Sequence, residues 1–332
     1  MKNFVTGAAG FVGSAIVRKL LGRGEEVVVF VRKGGDFRNL AGLDITCAYG
    51  DLREPGSVKA CMRGCARVFH AAADYSLWSP EPGALYASNV GGTEAVLAAA
   101  RELCVEKVVY TSTVGALGNP GDGTPGREDT PVTIGDMVGH YKRSKFMAEQ
   151  KAVEAAAAGL PVVIVNPSTP VGPRDVKPTP TGKMILDFMD GKMFAYLETG
   201  LNIVDVDDVA EGHVLAMDRG VPGEKYILGN RDMTLREIFG ILGGITGMPA
   251  PRVKLPYAFV YPIAVASTAV SDFITHKPPL APVEAVRMSK KLMFFDPSKA
   301  VRELGMPQTP VEDALGRAAR WFMDNGYVKG RR

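Results

Sequence analysis

Three observations predict an α/β fold, a doubly wound parallel sheet followed by a smaller, mostly helical C-terminal lobe. Short β-branched runs without polar alternation recur through the first half, as in strands covered on both faces. Helical patterns lie between them, and that alternation implies parallel strands joined by helices. After Asn166 the texture changes. Pro167, Pro170, Pro173, Pro178 and Pro180 crowd one segment, where no regular element is expected, and mark a crossing into a second lobe.

In chain order, the first strand is read at Lys2–Thr6, a helix at 11–21 and an apolar strand at 27–31. Further strands are read at 45–49, 68–69, 108–110 and 162–165, with helices at 91–103 and 137–158. Residues 1–166 form one domain, to which 202–217 returns with a strand and a helix. Residues 167–201 and 218–332 form the substrate lobe, its last part read as helices joined by Pro-rich turns.

The chain has 332 residues, 46% hydrophobic and 23% charged, enough for a large core. Disorder is expected only at the basic end, Lys329 to Arg332, read as solvated. A net charge of +3 is too small to argue for a nucleic-acid partner. Cys47, Cys61, Cys65 and Cys104 have no metal-ligand spacing, so no metal is expected and the thiols are read as free and cytoplasmic. The start enters a strand at once and fits no signal peptide. The apolar stretch 257–274 is nearly long enough to span a bilayer. Pro262 interrupts it and Ser267, Thr268, Ser271 and Asp272 punctuate it. A buried or membrane-surface helix pair is expected, which keeps peripheral membrane contact open.

The glycines Gly7, Gly10 and Gly13, with Phe11 and Val12 between the last two, follow the first strand and open the first helix. Such a turn brings backbone N–H groups to a pyrophosphate at a helix N-terminus, the Rossmann arrangement for a dinucleotide. The second strand ends in Arg32 and Lys33, where NAD binders place a carboxylate for the ribose 2′-hydroxyl. Two cations suit a 2′-phosphate instead, so NADP(H) is expected as the preferred cofactor, with NAD(H) the alternative. Asp51 and Leu52 follow the third strand, where an acid can meet the adenine amine. Ala71, Ala72 and Ala73 follow the fourth, small enough for the cofactor to pass.

Tyr141 and Lys145 stand four apart on a predicted helix and share a face. A free tyrosine has a pKa near ~10, and a nearby ammonium with the positive nicotinamide ring favours its phenolate. The strand before that helix ends Thr111-Ser112-Thr113, which can aim a hydroxyl at the same spot. In this reading Tyr141 exchanges the substrate hydroxyl proton, Lys145 tunes Tyr141 and holds the nicotinamide ribose, and Thr113 fixes the substrate oxygen.

These motifs resemble the extended short-chain dehydrogenase/reductase superfamily, the NAD-dependent epimerase/dehydratase family, over essentially the whole chain. They are GAAGFVG, GDL from Gly50, HAAA from His70, Asn89 in NVGGT, TST, YKRSK, VDDVAEGH from Val206 and DPSKAVRELG from Asp296. The segments HYKRSKF and NPSTPVGPRDVKPTPTG are similar to the bacterial hopanoid-associated sugar epimerase group, also called dihydroflavonol-4-reductase-like. The resemblance implies that Thr113, Tyr141 and Lys145 form the family's catalytic triad. It implies too that Thr111 and Asn89 belong to the cofactor and active-site region, and that Pro167 and Ser168 line the nicotinamide pocket. Thr113 departs from the commoner serine without losing the hydroxyl. Asp205 stands where many relatives have histidine, and is read as a surface difference.

Three reaction classes then compete: a reductase, an epimerase that retains its cofactor, and a nonenzymatic nucleotide sensor. The Thr–Tyr–Lys set argues against the sensor. Val114, Gly115 and Ala116 follow Thr113, without the acid pair that the resemblance leads one to expect in a dehydratase. Arg32 and Lys33 favour a reductase, as do the apolar Phe188, Met189, Met193, Phe194 and Tyr196 of the lobe. The expectation is an NADP-preferring oxidoreductase acting on a hydroxyl or ketone of a sugar-like or isoprenoid-linked small molecule. A sugar epimerase of hopanoid biosynthesis is the alternative. The alanine-rich helices at 91–103 and 137–158 permit close packing, and in related enzymes such helices pair two copies, so a homodimer is expected.

Overall fold

The computed structural model describes residues 1–279 and 282–328, so the basic end at 329–332 lies outside the described residues. The first half runs β1 (Lys2–Thr6), α1 (Phe11–Gly22), β2 (Glu26–Val31), β3 (Thr46–Tyr49), α2 (Pro55–Met62), β4 (Arg67–His70), α3 (Pro82–Tyr86), α4 (Gly92–Glu102), β5 (Lys107–Thr111), α5 (Gly139–Ala157) and β6 (Val162–Pro167). It continues with β7 (Thr169–Val171), α6 (Pro180–Met189), β8 (Ala195–Leu197), β9 (Gly200–Asp205), α7 (Val206–Arg219), β10 (Lys225–Leu228), β11 (Arg231–Thr234) and α8 (Leu235–Thr246). The last elements are β12 (Val253–Leu255), α9 (Tyr257–Val270), α10 (Val283–Met288) and α11 (Val311–Asp324).

Seven parallel strands form the main sheet, in the order β10-β6-β5-β4-β1-β2-β3. Successive strand side chains point to opposite faces. Phe4, Val28, Val108 and Ile164 therefore enter one buried cluster with α2, α4 and α5, while Val5, Val29, Val109 and Val165 enter another with α1 and α7. Both faces are covered, which is why these strands read as unbroken apolar runs. The sheet is of Rossmann type, and its strand order reverses between β1 and β4. A ligand crevice is expected there, outside the carboxyl ends of the strands.

The second half differs from the sequence reading in three places. Pro170 lies within β7 of a small three-stranded sheet, β11-β9-β7, and Pro180 opens α6, where a missing N–H costs nothing. The segment 202–217 gives its helix, α7, to the main sheet but its strand, β9, to the small one. Lys225–Leu228, read into the lobe, is instead the outermost strand of the main sheet, paired with β6. A third apolar cluster, with Phe188 stacked on Phe239 at 5.6 Å and Phe322 beside them, forms the core of the lobe. Phe188 and Met189 are thus core rather than substrate surface, whereas Phe194 is exposed.

The apolar stretch is α9, prolonged by a π-helical turn at Ser271–Thr275. It is not a buried pair. The face turned to the protein is small and hydroxylated, with Ala264, Thr268 and Ser271 buried. The outward face carries Phe259, Ile263, Phe273 and Ile274, exposed by 71%, 61%, 83% and 71%.

Candidate active site

The site grows from the carboxyl ends of β1, β4, β5 and β6. After β1, Gly7 takes φ +68°, and a Cβ there would lie 2.6 Å from the backbone nitrogen of Ala72. A Cβ at Gly13 would collide with the Gly7 carbonyl. Glycine is therefore the residue that lets this loop close against α1 and against the turn after β4. Gly10 caps α1 without a side-chain bond, leaving first-turn N–H groups, including that of Val12, to an anion. Ala71 and Ala72 donate their backbone N–H groups to the carbonyl and hydroxyl of Thr6, and Ala73 follows in the same open turn.

At the ends of the neighbouring strands, Arg32 and Lys33 are exposed beyond β2. Asp51 is drawn down to about 2, chiefly by its hydrogen bonds from Arg53, and Arg32 adds to the field. Leu52 packs under Gly92 rather than into the crevice. Pro167 ends β6, and among the described residues the buried hydroxyls of Ser168 and Ser112 have no hydrogen-bond partner. Orphaned hydroxyls beside a glycine cradle fit a bound dinucleotide with polar edges. Asn89, on a π-helical turn, braces the region: its amide bonds the Asp74 carbonyl and Ser144 Oγ at 2.9 Å each, and its oxygen accepts from the Asp74 nitrogen at 2.7 Å.

Thr113 follows β5. Its Oγ1 accepts from the Gly115 nitrogen at 3.1 Å, which leaves its own proton to donate. Burial pushes the Tyr141 hydroxyl up to about 12, hydrogen bonding with Thr113 opposes this, and the Asp74 carboxylate adds to the rise. The Lys145 ammonium bonds Tyr110 Oη at 3.1 Å and the Thr111 carbonyl at 2.8 Å. Burial brings Lys145 down to about 8, with Glu149 working against it. The Thr111 hydroxyl faces away, 2.9 Å from His213 Nε2.

Several supporting residues were not read from the sequence. Glu149, fully buried on α5, joins Lys225 at 2.5 Å and Asn166 at 2.8 Å, and Asn166 in turn bonds the Thr113 carbonyl at 3.1 Å. An acid four residues after Lys145 on the same helix face was the available signal. His70 is buried between the Thr6 and Thr93 hydroxyls at 2.7 and 3.0 Å. Asp205 corrects its reading as a surface difference: it is fully buried, caps α7 by accepting from the Asp207 nitrogen at 2.7 Å, and pairs with Arg317 of α11. It clamps the lobe to the main domain.

The chain is similar to known proteins in sequence and in fold. The model of a family described as the NAD dependent epimerase/dehydratase family matches residues 3–229. A Synechocystis sp. protein named as a dihydroflavonol 4-reductase is 46% identical, over 98% of this chain and 96% of its own. Sterol demethylase protein B of Methylococcus capsulatus is 35% identical, over 99% of this chain and 100% of its own. The crystal structure of gox2253 superposes with a TM-score of 0.88 at 48% identity, covering 98% of this chain and 99% of that one.

Proposed function

Because the chain belongs to the NAD dependent epimerase/dehydratase family, as an extended short-chain dehydrogenase/reductase, we propose that it is an NADP(H)-preferring reductase. Its substrate is a ketone, or the corresponding alcohol, on an apolar isoprenoid-linked or sugar-like molecule. The observation that carries the reading is the meeting of Thr113 and Tyr141 at the carboxyl ends of the strands, beside the glycine loop. The bound nicotinamide supplies or accepts the hydride. Residues of the chain do the rest. Exposed Arg32 and Lys33 take the 2′-phosphate, and the first turn of α1 takes the pyrophosphate. Lys145 holds the ribose, Thr113 donates to the substrate oxygen, and Tyr141 passes a proton at its Oη. A hydroxyl held near 12 is a strong proton holder, and the positive ring lowers it when the alcohol is the substrate.

The name of the relative at 46% identity favours net reduction over epimerisation and that of the relative at 35% an apolar substrate, and a place in hopanoid biosynthesis is compatible with both. The enzyme works in the cytoplasm, its four cysteines free. There α9 docks on an anionic lipid surface. Its outward aromatic and aliphatic face supports this, as do exposed Arg252, Lys277, Arg287 and Lys290 around it. Trp78 reaches from the Asp74 loop to Asp272 beyond α9 at 2.7 Å, so that helix borders the site. Two copies pair through α4 and α5. Tyr141→Phe tests the chemistry: NADPH-dependent reduction across a panel of ketones and aldehydes falls about 10²- to 10⁴-fold while NADPH affinity holds. Turnover surviving in that variant would sink the assignment.

A further inference from the structure

Tyr110 is the next-to-last residue of β5, and its side chain enters the apolar cluster shared with α2, α4 and α5. That of Thr111 points to the opposite face, toward His213. The Tyr110 phenol is buried. Burial holds it well above the ordinary tyrosine range, and the Glu149 charge adds to the rise, so the group stays neutral.

Among the described residues the Lys145 ammonium has two hydrogen-bond acceptors, and β5 supplies both. They are Tyr110 Oη at 3.1 Å and the Thr111 carbonyl at 2.8 Å. Nζ also lies 4.8 Å from the centre of the Tyr110 ring. Glu149, one turn on along α5, acts on Lys145 through its charge, but its oxygens are bonded by Lys225 at 2.5 Å and Asn166 at 2.8 Å. An ammonium has three N–H donors. With two of them committed to adjacent residues of one strand, the third has a set direction.

Tyr110 is itself held. Its ring packs on that of His70, with centroids 5.7 Å apart, and its phenol is hydrogen-bonded to Thr93 of α4. The bonds around His70 run in one consistent direction. Thr93 donates to the Asn89 carbonyl at 2.7 Å, so its oxygen accepts from His70 Nε2 at 3.0 Å. Burial keeps the imidazole neutral, so Nδ1 accepts from the Thr6 hydroxyl at 2.7 Å. Thr6 Oγ1 in turn accepts from the Ala72 N–H at 3.2 Å. Buried hydrogen bonds thus lead from the turn after β4 to the Lys145 ammonium.

We propose that Tyr110 is a positioning residue for Lys145: with the Thr111 carbonyl it fixes the ammonium, so that the remaining N–H serves the nicotinamide ribose. This rests on the reading of Lys145 as the residue that holds that ribose. Phenylalanine at position 110 would fill the same space and leave a single anchor, about which the ammonium can turn. A buried ammonium deprived of a neutral acceptor also gives up its proton more readily.

The test follows the Lys145 Cε carbon by NMR in the full chain carrying ¹³C-lysine, the signal being identified by its loss in Lys145→Met. In the wild type it should titrate at about pH 8. In Tyr110→Phe the midpoint should fall by about one pH unit or more, the scale of one hydrogen bond to a charged group. The loss of NADPH affinity with rising pH should move down with it. A merely structural role would lower stability and leave both midpoints in place, and that result would overturn the proposal. The wild type alone gives a second reading: the Cζ carbon of Tyr110 should move with the Lys145 midpoint, and a flat signal across that range would count against the contact. Lys145→Met separates the proposal from the reading beneath it. NADPH affinity that survives in Lys145→Met removes the ribose-holding role. Affinity lost there but kept at every pH in Tyr110→Phe removes the role of Tyr110 alone.

Discussion

Burial in this chain displaces titrating side chains toward their neutral forms. Tyr141 is raised to about 12 and Lys145 is lowered to about 8. His70 and His213 are brought down to about 3 and about 4, chiefly by burial. Both histidines are neutral in the folded protein and fixed by hydroxyls or a carbonyl. Unfolded, they protonate near ~6.5, so their contribution to stability is full above that pH and is lost as pH falls toward ~4. Asp175, raised to about 6 by burial, works in the opposite sense below its folded value and offsets part of the loss. Urea unfolding should therefore show each histidine withdrawing about 2 kcal/mol between about pH 7 and about pH 5. His213→Gln should flatten that dependence, and an unchanged slope would contradict the account. The Tyr141–Lys145 spacing was legible because a helix repeats every 3.6 residues. The burial that raises Tyr141 was not, because it is set by segments far apart in the chain, Asp74 and Thr113 among them.

Among the elements, those of the main sheet were legible for a physical reason. Strands buried on both faces carry β-branched runs such as Val27 to Val31, and no polar residue interrupts the pattern. The strands Thr169–Val171, Ala195–Leu197, Arg231–Thr234 and Val253–Leu255 have three or four residues each, one of them with a proline, too short for a period to show. Asp205 was misjudged because its partner Arg317 lies 112 positions away. The length and apolarity of α9 were plain in the sequence. Its orientation was not, because Ala264, Thr268 and Ser271 form the buried stripe while larger residues face outward. Burying one large apolar side chain contributes about 1.5–3 kcal/mol. Replacing Phe259 and Phe273 together by serine should therefore abolish cosedimentation with phosphatidylglycerol vesicles and spare the fold. Wild-type binding should weaken with salt. No binding by the wild type, or equal binding by the variant, would count against a lipid-facing role.

At the scale of the whole molecule, the lobe is held to the sheet by the Asp205–Arg317 clamp, and the crevice lies where the strand order reverses. The outer surface of α4 and α5 carries Glu94, Met147 and Lys151, with Lys151 bridging to Glu94 at 3.3 Å. Light scattering should give the mass of two chains, lowered by Met147→Glu, whereas a single-chain mass would remove the proposed pairing. The central claim is a cofactor that comes and goes with each turnover and carries a 2′-phosphate. It is tested most directly by denaturing freshly purified protein, identifying the nucleotide released, and timing exchange in the native state against added NADP(H) and NAD(H). The account predicts rapid exchange with a clear preference for NADPH. A tightly retained NAD(H) that hardly exchanges would contradict it and favour an epimerase, whose hydride never leaves the site.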